Sequence, residues 1–194
     1  MSVRAAVVAC VMGLSSASKV HAEDVWYPVP ANAVFDTGDS WRDQSWSFRL
    51  YGVQACLRGT TFTNSHGTTQ DCGEASLAML VSLIRDLRPN CYTAAQVSAA
   101  HARYVFCLAT PTRGAGAGSR IDLGTALIAS GFAFPALKPD GSPVHAPYLA
   151  AQAVAKAARA GLWAFDPPDP NAILLRAMRQ PSAPAAAGPV EGAP

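Results

Sequence analysis

Bulky and polar positions alternate most clearly between Gly38 and Ala55, where Trp41, Trp46, Phe48, Leu50 and Tyr51 flank the polar run Arg42-Asp43-Gln44-Ser45. Aromatic and branched side chains favour a pleated, half-buried surface, and a short polar run between two such segments predicts a β-hairpin. A second pattern follows at helical spacing. Leu77, Leu80, Val81, Ile84 and Leu87 form one apolar stripe, so a helix is expected over Gly73 to Arg88, stopped by Pro89 and Asn90. Between these lies Leu57 to Asp71, rich in Gly, Thr and Asn, which reads as a loop without structure of its own.

Further along, Tyr104 to Thr110 is a continuous apolar run and predicts a buried strand, followed by a flexible Gly/Ala-rich turn over Pro111 to Ser119. Asp122 is placed to cap a helix over Leu123 to Ser130, and Gly131 to end it. Pro147 opens an alanine-rich helix that the pattern carries to Gly161, with Trp163 and Phe165 anchoring its exit. Asp166-Pro-Pro-Asp-Pro ends that unit, Ile173 to Met178 predicts a last short helix, and the Ala/Pro/Gly-rich tail from Pro181 is expected to be disordered.

The first 22 residues change how composition is read. Arg4, the apolar run Ala5 to Leu14 and Val20-His21-Ala22 have the layout of a secretory signal, too short to span a bilayer as a stop-transfer helix. Its removal leaves 172 of the 194 residues, enough for one domain with a real core. It takes Arg4 and Lys19 from 15 Lys+Arg and nothing from 13 Asp+Glu, so 13 of each remain and bulk charge gives a nucleic-acid partner no help. Cys10 also leaves. Cys56, Cys72, Cys91 and Cys107 then suggest two disulfides in an exported chain, with three connectivities open. Without a Cys-x-x-Cys, and with His66, His101 and His145 scattered, neither a zinc site nor a cysteine nucleophile is expected. His66 reads as a solvated loop histidine.

Two charges in the hairpin carry the candidate chemistry. Asp39 stands at its entry and Arg49 ten residues on, a spacing that can bring a carboxylate suited to a hard cation and a guanidinium suited to phosphate into one cleft. The sequence here resembles the staphylococcal-nuclease-like (thermonuclease) family. Gly38-Asp39-Ser40 followed by Phe48-Arg49-Leu50-Tyr51-Gly52-Val53 is similar to the family's Gly-Asp-Thr strand and its Arg-Leu-x-Gly-Ile-Asp-Ala-Pro-Glu partner. Cys72 to Ala75, Asp122 to Phe132, and Tyr148 through Trp163 match its three helical segments in order, so the resemblance covers Val34 to Pro168. It implies an α+β fold, a small Greek-key barrel of the oligonucleotide-binding type with about three packed helices. It divides the chain into a signal peptide (1–22), a lead-in (23–33), the nuclease-like domain (34–168) and a short helix with tail (169–194). It further implies the pairs Cys56 with Cys72 and Cys91 with Cys107, while Glu74 fits a residue that helix-dipole complementarity explains without catalysis.

In active members, the resemblance implies, two aspartates and a carbonyl hold Ca²⁺, a glutamate assists the attacking water, and two arginines stabilise the transition state. Asp39 matches the first aspartate and Arg49 the first arginine. The other positions depart. Gln54 stands for the second aspartate and Leu57 for the glutamate, which weakens the cation site and removes a base that typically supplies about 10²–10⁴-fold. Ala102 occupies the place expected for the second arginine, and Arg103, one residue on, reaches the same face only through a bulge. The expectation is an exported domain, secreted or periplasmic, with impaired Ca²⁺-dependent phosphodiesterase activity and no transmembrane segment after processing. Three functions follow from it: binding of nucleic acid or another polyanion, a scaffold role with an envelope protein partner, or a nuclease that recruits Asp43 or Asp71 beside Asp39.

Overall fold

The computed structural model describes residues 25–112 and 117–180. The expected signal peptide, its Cys10 and the tail from Pro181 lie outside them, and the predicted turn Pro111 to Ser119 does so in part. The chain runs β1 (Tyr27–Pro28), β2 (Val34–Thr37), β3 (Ser40–Arg42), β4 (Ser47–Leu50), β5 (Val53–Ala55), β6 (Thr61–Thr63), β7 (Thr69–Asp71) and α1 (Cys72–Leu87). It continues with β8 (Asn90–Val97), β9 (Ala102–Ala109), β10 (Ile121–Asp122), α2 (Leu123–Ala129), β11 (Ala133–Pro135), α3 (Pro147–Ala157) and α4 (Pro170–Arg179). This is an α+β fold in which, among the described residues, a curled, half-barrel sheet is accompanied by four helices, the expected three and the short last one.

The main sheet has the order β1-β8-β9-β4-β3-β2, with β10 on the far end of β9. The predicted hairpin is β3 with β4, in the register Ser40 to Arg49, Trp41 to Phe48 and Arg42 to Ser47. Its inward residues Trp41, Phe48 and Leu50 meet Val105 and Cys107 of β9, Leu80 of α1 and Leu123, Leu127 and Ile128 of α2 in one buried cluster. β4 and β9 run parallel, which places residues 55 positions apart side by side, as Ser47 beside Ala102. Close packing dictates Gly38, where a Cβ would collide with Ser76 of α1.

The local signals for helix ends hold. Asp71 caps α1 by accepting from the Glu74 amide at 2.9 Å, and Asp122 caps α2 through the Thr125 amide at 2.7 Å. Arg88, the last cap of α1, sits in the left-handed region at φ 48°, since Pro89 forbids another turn. The expected apolar stripe of α1 is slightly rotated: Leu80 is buried and Ile84 and Leu87 pack on the core, whereas Val81 is 38% exposed and Ser76 is fully buried. The alanine-rich helix stops at Ala157 rather than Gly161, because a turn with Arg159 at φ 49° intervenes before a short 3₁₀ segment, Gly161–Ala164.

Two further corrections concern strands. The segment Leu57 to Asp71 is not an unstructured loop: β6 and β7 pair as a hairpin, and Asn64 Oδ1 closes its turn by accepting from the His66 and Thr68 amides. Phe62 supplies the reason, buried against Phe165 with ring centroids 5.6 Å apart. β8 was not foreseen at all, since its outer half, Thr93 to Val97, is polar or exposed and its order comes from pairing with β9. The two disulfides are Cys56–Cys72 and Cys91–Cys107, as the resemblance implied. The first ties β5 to the start of α1 and the second staples β8 to β9. Such bonds persist in oxidising surroundings, outside the cytoplasm. Among the described residues no helix is long and apolar enough to cross a membrane.

Candidate functional site

The hairpin brings Asp39 and Arg49 together at one end of the inner strands β3 and β4. Asp39 precedes β3, and Arg49 lies on β4 opposite Ser40, so its side chain leaves the sheet away from the core that holds Phe48 and Leu50. Arg49 Nη2 donates to Asp39 Oδ2 at 2.8 Å and to Gln54 Oε1 at 3.0 Å. Three residues singled out from the sequence therefore form one cluster. The backbone completes it, for the Ala55 amide donates to Asp39 Oδ2 at 3.1 Å and Gln54 Nε2 donates to the Ala55 carbonyl at 2.8 Å.

Sequence reasoning missed the hydroxyl that finishes this arrangement. Thr37 Oγ1 donates to Asp39 Oδ1 at 2.5 Å and also contacts Ser40 Oγ. The run Thr37-Gly38-Asp39-Ser40 carries a signal for it, a hydroxyl on each side of a buried acid. Asp39 is 1% exposed, so its carboxylate is matched by three donors, as a buried charge must be. Arg49 is 44% exposed on its side chain. Both of its bonds here use Nη2, and among the described residues Nε and Nη1 have no partner, so they can take an incoming anion.

This donor set does not fit a calcium ion. Ca²⁺ takes about six to eight oxygen ligands, with carboxylates prominent among them. Asp39 is the one carboxylate of the cluster, and a guanidinium, an amide N–H and a hydroxyl already occupy its oxygens. Gln54 adds a neutral oxygen that itself accepts from Arg49. Among the described residues no group of three His, Cys, Asp or Glu converges anywhere. The acids named as possible substitutes are engaged elsewhere: Asp43 closes its own turn by accepting from the Ser45 and Trp46 amides, and Asp71 caps α1 while accepting from the Gly59 amide at 2.7 Å. Those backbone donors, the Glu74 amide first, hold the Asp71 carboxyl below its ordinary pKa.

Arg103 is not brought to the cluster. β9 pairs with β4 in an unbroken register that sets Arg103 beside Phe48 and Tyr104 beside Arg49. The bulge in this region falls on β8, between Thr93 and Ala95, and leaves the register of Arg103 with β4 untouched. Arg103 instead lies over the Trp46 ring at 4.0 Å and donates to Gln96 at 3.0 Å. The position facing Arg49 across the strands is Tyr104, 36% exposed. Leu57 contributes only its carbonyl, which accepts from Thr60.

A larger feature lies elsewhere. A cleft of about 990 Å³ opens between the C-terminal turn of α1, the start of β8 and the end of β9, lined by Trp26, Arg85, Arg88, Asn90, Thr110 and Arg120 among others. Its residues come from four separated stretches of chain, and no local pattern announces it. No protein-family model matches this chain, and no curated protein matches its sequence.

Proposed function

We propose that this chain is a divergent member of the staphylococcal-nuclease-like family, secreted or periplasmic, which has kept the barrel as a binding module for phosphate-bearing polyanions and has lost Ca²⁺-dependent phosphodiesterase chemistry. The observation that carries this reading is the Asp39–Arg49–Gln54 cluster, one carboxylate and one amide closed around a single arginine. Four features of the fold support it. The meander β2-β3-β4 is followed by α1, the paired β8 and β9, and the parallel closure of β9 on β4, an order that suits a Greek-key barrel of the oligonucleotide-binding type. Gln54 keeps Asp39 from being one of a carboxylate pair, and Leu57 supplies no base. Arg49, with Nε and Nη1 unengaged and Tyr104 beside it, retains the means to hold a phosphate oxygen and stack a ring. A single such contact gives weak, salt-sensitive binding.

The test is cleavage and binding of single-stranded and double-stranded DNA by the purified chain, with Ca²⁺ and with chelator, beside Arg49→Ala and Asp39→Ala. The expected result is no Ca²⁺-dependent cleavage, together with oligonucleotide binding that weakens with salt and is lost in Arg49→Ala. Ca²⁺-dependent cleavage abolished by both substitutions would overturn the loss of chemistry, and binding indifferent to Arg49 would overturn the site.

A further inference from the structure

The cleft at the end of α1 shares no residue with the Asp39 cluster. Three arginines face it. Arg85 is engaged by Asp86 at 2.9 Å, but among the described residues neither Arg88 nor Arg120 has an anionic partner. Among the described residues of the lining, three guanidiniums against one carboxylate leave two positive charges unbalanced in a concave site. Concavity matters because low-dielectric walls focus such a field on whatever enters.

Arg88 and Trp26 add shape to that charge. Arg88 holds the left-handed conformation at φ 48° that helix ends normally give to glycine, a placement that fixes where its side chain starts. Trp26 is 43% exposed and rests against Tyr92, ring centroids 4.7 Å apart, and Tyr92 in turn stacks on Phe106 at 5.7 Å. The indole is thus braced on one side by the tilted Tyr92 ring and keeps much of its surface open at the cleft. Asn90 and Leu108 of the rim are neighbours of Cys91 and Cys107, so a disulfide fixes the floor. Neutral hydrogen-bonding groups, Asn90, Thr110 and Thr112, complete the lining.

We propose that this cleft binds an acidic saccharide, with one sugar ring on Trp26 and its carboxylates on Arg88 and Arg120. Two unbalanced positive charges match one or two carboxylates rather than a run of phosphates. A single braced aromatic face suits one ring, and two hydroxyls and an amide match a polyhydroxylated ligand better than a base edge. Arginine forks recognise a carboxylate in two parallel bonds, which gives orientation as well as attraction.

The test is titration of the purified chain with a tetramer of galacturonate, followed by calorimetry and tryptophan fluorescence, beside a neutral glucose tetramer and a thymidylate tetranucleotide. The acidic tetramer is expected to bind and the neutral one not, with a fluorescence change that disappears in Trp26→Phe, while the tetranucleotide binds only through Arg49 and leaves that change unproduced. Arg88→Gly and Arg120→Ala are each expected to weaken it at least tenfold. Arg88→Gly is the decisive variant, because it relieves the left-handed backbone while removing the guanidinium, so weaker binding cannot come from a failed fold. No binding of the acidic tetramer, equal binding of the neutral one, indifference to Arg88 and Arg120, or preference for the tetranucleotide at the same residues would each overturn the proposal. Arg49→Ala separates the two sites: it is expected to abolish oligonucleotide binding and leave the galacturonate titration as it was, so either site can fail alone.

Discussion

Removing Arg49 tests whether the cluster is held together by a real ion pair. In Arg49→Ala the Asp39 carboxylate, 1% exposed, keeps the Thr37 hydroxyl and the Ala55 amide but loses its only cation. A hydrogen bond to a charged group is worth about 1.5–3 kcal/mol, and breaking a buried pair from one side costs about 3–5 kcal/mol. The guanidinium side chain is 44% exposed, so water fills part of the gap and the lower end applies, about 2 kcal/mol. For a domain of this size each kcal/mol moves the melting temperature by about 2–4 °C, which gives a fall of about 4–8 °C. The same change made in an Asp39→Asn background removes no counter-charge, so it should cost about 1–2 kcal/mol less than in the parent. Urea and thermal melts of the four proteins in the cycle measure this directly. A melting temperature for Arg49→Ala within about 1 °C of the parent, or strict additivity with Asp39→Asn, would refute the argument, because either means that the buried carboxylate never depended on Arg49.

Three other outcomes follow from the structure. Replacing Cys56 and Cys72 by serine opens a loop of sequence separation 16, which on chain-entropy grounds lowers stability by about 3 kcal/mol, read as a shift in urea midpoint that added reductant no longer enlarges through this bond. Asp71 titrates below its ordinary value because the Glu74 and Gly59 amides favour its charged form, so its stabilisation is present above the ordinary carboxylate range and is lost as pH falls through the folded value. Asp71→Asn should therefore match the parent less well at pH 7 than at pH 3, and an unchanged gap between the two urea midpoints would contradict this. Burial and then the neighbouring Asp122 carboxylate push the Tyr148 phenol far above its ordinary pKa; its hydroxyl donates to Asp122 at 2.9 Å. Unfolded tyrosine releases its proton near pH 10 while the folded one keeps it, so stability falls as pH rises beyond that. Tyr148→Phe should cost about 1.5–3 kcal/mol at pH 7 and flatten that alkaline decline, as melts between pH 8 and pH 11 can follow.

Much of what folds locally could be read in order along the chain. The hairpin around Trp41 and Phe48, the cap at Asp122, the stop at Gly131 and the last short helix all rest on signals within about one helical turn or one hairpin. The elements missed lack such signals. β6 and β7 exist because Phe62 finds Phe165 about a hundred residues away, and β8 exists because β9 offers it a ladder. The wrongly placed face of α1 has the same origin, for the stripe in the sequence puts Val81 inward and leaves Ser76 off it, whereas close approach of Gly38 and a bond to the Phe132 carbonyl bury Ser76.

The sequence by itself determined the candidate residues Asp39, Arg49 and Gln54, the two neutral replacements at Gln54 and Leu57, and a cysteine set compatible with two disulfides. Only the tertiary structure decided what those residues do to one another. Arg49 binds Asp39 and Gln54 because a tight hairpin and the following strand converge on it, and Arg103 is withheld because strand side chains alternate and the parallel register of β4 with β9 assigns that face to Tyr104. The arginine cleft likewise has no counterpart in any short window of sequence, since the end of α1, Trp26, the end of β9 and Arg120 meet only in the folded chain. Caps, turns and periodicity are encoded between near neighbours; register and convergence are set by pairing across the whole chain, and the chemistry of both sites depends on the second.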